Sequence, residues 1–326
     1  MTRILITLPV NDRHKAAFAA AAPQAEIEYR PAGEVTEEML GTVDAVIGNV
    51  PAAKLKGHEN IRWVQLNSAG ADKYTEPGTL APGAVLTNAS GAYGLAISEH
   101  MVGQLLMHIK HLGQYYDAQK EKRWTDFGTV RSIYGSTTLV VGLGDIGGEF
   151  ARKMKALGSY VIGIRRSAGE KPEYLDELSS LERLDELLGR ADFVACSLPG
   201  TDATYHLFDE ARLARMKQGA VLLNVGRGSA VDSLALNEAL RSGHLGGACL
   251  DVVEPEPLPA DHPLWDAPNL LLTPHISGFY HLPETLERII RIAAGNLEAF
   301  VNGRPLKNQV DFSTGYRKNV TENKAL

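Results

Sequence analysis

Short apolar runs rich in β-branched residues alternate along this chain with longer stretches whose apolar positions recur every three or four residues. The runs predict five strands before residue 92, near 3–8, 26–30, 44–49, 61–67 and 84–88. Six more are predicted after residue 136, near 137–141, 159–164, 192–197, 219–225, 247–252 and 269–273. Strands alternating with helix-length segments predict parallel sheets with crossover helices, hence an α/β architecture. Between the two sets, residues 96–116 carry Ile97, Met101, Leu105, Met107, His108 and Leu112 at roughly helical spacing, which predicts one long helix bridging two domains. A last helix over 283–303 has Leu286, Ile289, Ile290, Ile292, Leu297 and Phe300 on its apolar positions. Only a short tail follows, so this helix is expected to pack on one of the first two domains.

Composition narrows the class. A length of 326 residues with 44% hydrophobic and 22% charged positions suits two soluble globular domains. The formal net charge of −6 argues against nucleic acid or an anionic membrane as the main partner. Cys196 and Cys249 sit in strand-like runs, without the spacing of a disulfide framework or a metal finger, and read as buried thiols of a reducing, cytoplasmic compartment. Residues 13–25 mimic a signal peptide, but they follow a predicted strand and read better as an alanine-rich helix of a first β–α unit. No run approaches 18 apolar residues, so no membrane span is predicted.

The stretch "TLVVGLGDIGGEFARKMKALG" sets Gly142, Gly144 and Gly147 in G-x-G-x-x-G spacing between a strand and a helix ended by Gly158. Glycine is needed there because the backbone turns tightly and must approach a pyrophosphate without a Cβ in the way. The helix N-terminus then offers free N–H groups and a partial positive charge to the phosphates. The next strand ends in "VIGIRRSAG" (161–169), with Arg165 at the position where an acid would bind ribose hydroxyls and repel a 2′-phosphate. Arg165 and Arg166 predict that the anion held is the 2′-phosphate of NADP. A charge-assisted hydrogen bond contributes roughly 1.5–3 kcal/mol when sheltered, so two at a partly exposed site would favour NADPH by about ten- to a thousandfold.

Ligands of an open parallel sheet bind outside the carboxyl ends of its strands. After 219–225 comes "GRGS" with Arg227, after 247–252 comes "EPEPLP" with Glu254 and Glu256, and after 269–273 comes "PHISG" with His275. These types suit reduction of a 2-keto acid, which needs a cation for the carboxylate, a proton donor for the carbonyl oxygen and a hydride. Arg227 offers a planar fork of donors to the carboxylate. His275 offers the proton. An ordinary imidazole is mostly neutral at pH 7 and a carboxylate neighbour favours its charged form, which gives Glu256 the part of charging and orienting His275.

With these motifs in order, the chain resembles the D-isomer-specific 2-hydroxyacid dehydrogenase family. The matching stretches are "VVGLGDIGGEFARKMKALG", "LLNVGRGSAVD", "GACLDVVEPEPLP" and "LLLTPHISG", with "QLNSAGAD" (65–72) and "AISEHMVGQLL" (96–106) upstream. The resemblance implies Arg227, Glu256 and His275 as the catalytic set, Glu256 being selected over Glu254 because it lies five residues after Asp251. It implies that Asp251 holds the nicotinamide carboxamide and that the backbone around Ser68, Ala69 and Gly70 joins Arg227 and His275 on the substrate. The expected cofactor set is Gly142, Gly144, Asp145, Ile146 and Gly147, then Arg165, Arg166 and Ser167, then Ser197, Leu198 and Pro199, then Val225, Gly226 and Asp251.

Two Rossmann- or flavodoxin-like domains are implied, with the active site in a cleft between them. The substrate domain would be discontinuous, 1–96 plus 285–326, around a dinucleotide domain at 97–284. A homodimer joined through the dinucleotide domain is also implied. The main departure is Arg165 where NAD-dependent members carry an acid, which turns the cofactor expectation to NADP, with NAD as the alternative. A dinucleotide-sensing, corepressor-like protein on the same fold is the reading from another class. A phosphoglycerate dehydrogenase with a regulatory domain is disfavoured by the short tail, and a formate dehydrogenase by glutamate, not glutamine, opposite the histidine. His108 and His111 lie at i, i+3 without a cysteine or carboxylate to complete a site, so no metal is expected. Tyr93, Trp124, Phe279 and Tyr280 are candidates for shaping the pocket.

Overall fold

A computed structural model describes residues 1–166 and 169–315. The backbone divides into two compact units, Met1–Tyr93 together with the chain from Leu282 onward, and Gly94–His281.

In the first unit, β1 (Arg3–Ile6), β2 (Glu26–Tyr29), β3 (Ala45–Ile47), β4 (Trp63–Gln65) and β5 (Val85–Thr87) form one sheet in the order β2-β1-β3-β4-β5. Every pairing is parallel. β3 is buried throughout, which is why it reads as an unbroken apolar run and not as alternation, and β4 is buried throughout even at its polar Gln65. The alanine-rich segment forms the helix Asp12–Ala21, opened by an Asn11–His14 capping box and packed through buried His14 and Phe18. The last helix, Pro283–Val301, docks on this unit. Its Phe300 ring lies 5.0 Å from that of buried Trp63, and Asn296 donates to Gln65 Oε1 at 2.7 Å.

The second unit holds β6 (Thr137–Val141), β7 (Tyr160–Ile164), β8 (Glu177–Ser179), β9 (Phe193–Cys196), β10 (Val221–Asn224), β11 (Gly247–Leu250) and β12 (Leu270–Leu272). Their order is β12-β11-β10-β9-β6-β7-β8, all parallel. This is the doubly wound Rossmann order with one extra edge strand, and it reverses direction between β6 and β9. Cys196 and Cys249 are free thiols buried in the sheet, and burial pushes each up to about 12. No helix among the described residues is long and apolar enough to cross a membrane.

Two local expectations are corrected. β8 was not foreseen, because three half-buried residues at a sheet edge make no apolar run. The single helix expected over 96–116 is two, Gly94–Ile109 and Leu112–Lys120, because His111 adopts a left-handed conformation with φ 56°.

Candidate functional site

The carboxyl ends of β6 and β9 meet at the point where the sheet reverses. Gly142 has φ 100°, and a Cβ there would stand 2.9 Å from the Ser197 carbonyl oxygen. Gly147 is tighter, since its Cβ would lie 1.9 Å from the Gly142 carbonyl oxygen. The Ser197 hydroxyl donates to that same oxygen at 2.8 Å. Gly142 and Gly147 are thus demanded by the chain's own packing. Gly144 differs, for a Cβ there would meet nothing within 4 Å. It is the N-cap of the helix Asp145–Ala156 and supplies no side chain to cap it. The first turn of that helix therefore presents amide donors beside an open glycine, which fits a dinucleotide pyrophosphate. Asp145 turns one carboxylate oxygen to the Gly94 amide at 2.7 Å, tying the glycine loop to the start of helix Gly94–Ile109.

Arg227 follows β10 on a loop wedged between its neighbours by the two glycines that flank it. A Cβ at Gly226 would lie 2.4 Å from the Leu198 carbonyl oxygen, and one at Gly228 would lie 1.8 Å from that of Val253. Buried Asn224 secures the turn, donating to the Arg227 carbonyl at 2.9 Å and accepting from the Gly226 amide at 3.1 Å. Sequence reading missed Asn224; its signal is an amide side chain at the last position of an otherwise apolar strand. Val225 is buried, with its amide on the Cys196 carbonyl, and the Pro199 carbonyl accepts from Thr204.

The loops after β11 and β12 bring Glu256 and His275 together. Glu256 Oε1 lies 2.9 Å from His275 Nδ1, and both side chains are partly exposed. Glu254 points elsewhere, 3.5 Å from His206 Nε2, which separates the two glutamates. His275 is itself left-handed, with φ 53°, and its amide donates to the Asp251 carbonyl at 2.8 Å. The buried Asp251 carboxylate accepts four hydrogen bonds from the following loop. Thr273 Oγ1 (2.6 Å) and the Ile276 amide (3.0 Å) reach Oδ1, while the Ser277 amide (3.0 Å) and hydroxyl (2.5 Å) reach Oδ2. Asp251 thus braces the turn that carries His275, a task its spacing alone did not reveal.

At the end of β7 the Arg165 guanidinium donates to the Glu170 carbonyl at 3.0 Å, and its Nε is buried without a partner among the described residues. Arg166 is exposed. Ser167, expected beside them, lies outside the described residues. Phe279 is exposed with φ 55°, and burial pushes the Tyr280 hydroxyl up to about 12. In the first unit, the loop after β4 is held by asparagines. Asn49 donates to Ser68 Oγ at 3.1 Å, Asn88 donates to the Ala69 carbonyl at 2.7 Å, and Ser68 Oγ donates to the Gly70 carbonyl at 2.7 Å. The His108 ring lies on Gly247, whose Cβ would fall 2.1 Å from the ring carbon Cε1. No group of histidines, cysteines and carboxylates among the described residues could hold a metal ion.

Comparison with known proteins agrees with this fold. Residues 102–277 match the family described as D-isomer specific 2-hydroxyacid dehydrogenase, NAD binding domain. A glyoxylate reductase of Korarchaeum cryptofilum is 31% identical over 296 residues, 87% of each chain. A D-isomer specific 2-hydroxyacid dehydrogenase family protein of Aeromonas salmonicida superimposes with a TM-score of 0.84 at 33% identity, over 95% of this chain and 99% of that one. The NADPH-dependent glyoxylate/hydroxypyruvate reductase of Sinorhizobium meliloti, solved with NADP and sulfate, superimposes with a TM-score of 0.81 at 29% identity, over 97% of this chain and 100% of that one. The chain belongs to the D-isomer specific 2-hydroxyacid dehydrogenase family, as an oxidoreductase whose Rossmann unit takes NAD(P).

Proposed function

We propose that this chain reduces a small 2-keto acid of the glyoxylate or hydroxypyruvate kind to the D-2-hydroxy acid with NADPH. The observation that carries the reading is the 2.9 Å contact between His275 Nδ1 and Glu256 Oε1. With Nδ1 engaged, Nε2 is the nitrogen that gives its proton to the substrate carbonyl oxygen, and Glu256 holds the ring in that orientation. The nicotinamide, when bound, supplies the hydride to the carbonyl carbon. Arg227 binds the substrate carboxylate, its loop kept rigid by the contacts at Gly226 and Gly228.

Preference for NADPH rests on Arg165 and Arg166 at the end of β7, on the Arg165 Nε, buried without a partner among the described residues, and on the NADP bound by the Sinorhizobium relative. A homodimer joined through the second unit is supported by the irregular stretch 121–132. It carries the fully exposed Trp124, and Leu112, Tyr116 and Tyr134, which flank it in the sequence, are exposed as well. Two buried free thiols suit a cytoplasmic enzyme.

The test is loss of absorbance at 340 nm with NADPH and NADH against glyoxylate, hydroxypyruvate, pyruvate and phenylpyruvate. Faster oxidation of NADPH with one of these acids is expected. Faster oxidation of NADH would remove the arginine account alone. A dinucleotide-binding chain that turns over none of them would point to a sensor.

A further inference from the structure

Helix Gly94–Ile109 brings two polar side chains to Thr273, one residue past β12, and neither is used in the chemistry above. His100 Nε2 lies 3.1 Å from Thr273 Oγ1, and Gln104 Nε2 donates to the same oxygen at 3.2 Å. The direction of each bond follows from what a carboxylate can do. Asp251 has no proton to give, so Thr273 spends its one hydroxyl hydrogen on Asp251 Oδ1 at 2.6 Å. The hydroxyl oxygen must then accept from both neighbours, which places a hydrogen on His100 Nε2. That ring nitrogen is also 3.9 Å from Asp251 Oδ1, while the Asp251 side chain is only 1% exposed. A buried carboxylate is thus faced by a histidine that presents an Nε2–H.

We propose that His100 is a positioning residue for the reductase reaction. Acting through Thr273, and aided by Gln104, it locks the Asp251 carboxylate and with it the left-handed turn that presents His275. The inference rests on the reading of His275 as the proton donor. It assigns a task to His100, a residue of the "AISEHMVGQLL" stretch.

The test uses His100→Phe, which keeps a flat ring but cannot donate, and His100→Gln, which restores a donor. Steady-state kinetics with NADPH and glyoxylate are measured alongside amide hydrogen exchange of the full-length protein at Ile276 and Ser277. A displaced catalytic group can cost about a hundredfold, so His100→Phe is expected to lower kcat by roughly ten- to a hundredfold with little change in KM for NADPH. Exchange at Ile276 and Ser277 should rise at least about tenfold, with His100→Gln recovering most of both. Wild-type kcat and exchange in His100→Phe would overturn the proposal, as would a glutamine variant no better than phenylalanine. If the parent chain reduces no 2-keto acid, the reductase reading fails, and the exchange rates alone still decide whether His100 locks the turn.

Discussion

Gly228 and Val253 meet backbone to backbone: a Cβ added at Gly228 would stand 1.8 Å from the Val253 carbonyl oxygen. The contact joins the loop of Arg227 to the loop of Glu256, so the two are set by one another. Gly228→Ala must push them apart. Overpacking of this kind costs roughly 1–3 kcal/mol, and here the strain falls at once on the two loops to which the proposed function assigns the substrate and the proton donor's partner. A lower melting temperature and a lower kcat/KM together are expected, read by calorimetry and by the NADPH assay. A variant as stable and active as the parent would show that the loops yield freely.

His275→Ala should lower kcat by about two to four decades, the usual contribution of a positioned acid or base, while NADPH binding measured by fluorescence titration persists. Glu256→Gln retains the shape and removes the charge, so a smaller loss is expected. Glu254→Gln should leave kcat near that of the parent, because Glu254 faces His206 and not His275. Equal losses in the two glutamine variants would mean that the assignment of Glu256 is mistaken.

Arg227→Ala should raise KM for the keto acid and lower kcat together, since in the proposed role its contacts serve the bound substrate and the transition state alike. An unchanged KM would count against carboxylate binding by this side chain.

Arg165→Asp combined with Arg166→Ala should move the ratio of kcat/KM for NADPH over NADH toward NADH by about ten- to a thousandfold, the range expected for two charge-assisted hydrogen bonds. An unaltered ratio would refute the 2′-phosphate reading.

Burial pushes the Cys196 and Cys249 thiols up to about 12, so the thiolate fraction of either is minute at pH 8. Neither should react with an aromatic disulfide reagent in the folded protein at that pH, and both should react once guanidinium unfolds the chain. Rapid labelling of one thiol per native chain would contradict the packing of β9 or β11.

The glycine loop and the strand-end motifs were legible because their chemistry needs particular residue types at fixed spacing. Gly142, Arg227, Glu256 and His275 each stand just beyond a strand or on the turn leaving it, as read from the apolar runs. What stayed hidden depends on partners distant in the chain. Asp251 reads as a cofactor ligand, yet its carboxylate closes four bonds with residues 22 to 26 positions later. Asn224 reads as the end of a strand and turns out to secure the arginine loop. β8 escaped because an edge strand of three half-buried residues owes its place to pairing with β7. The break at His111 escaped because one left-handed residue barely disturbs an apolar period.

The last helix completes the first unit, although it is made after the whole of the second. On a ribosome the consequence is a fixed order of events. The first five strands emerge early but lack Phe300 against Trp63 and Asn296 against Gln65 until the whole of the second unit has been synthesised. Residues 94–281 are contiguous and can close their own sheet while the earlier segment waits. The dinucleotide-binding half of the protein is therefore the half that matures first during translation.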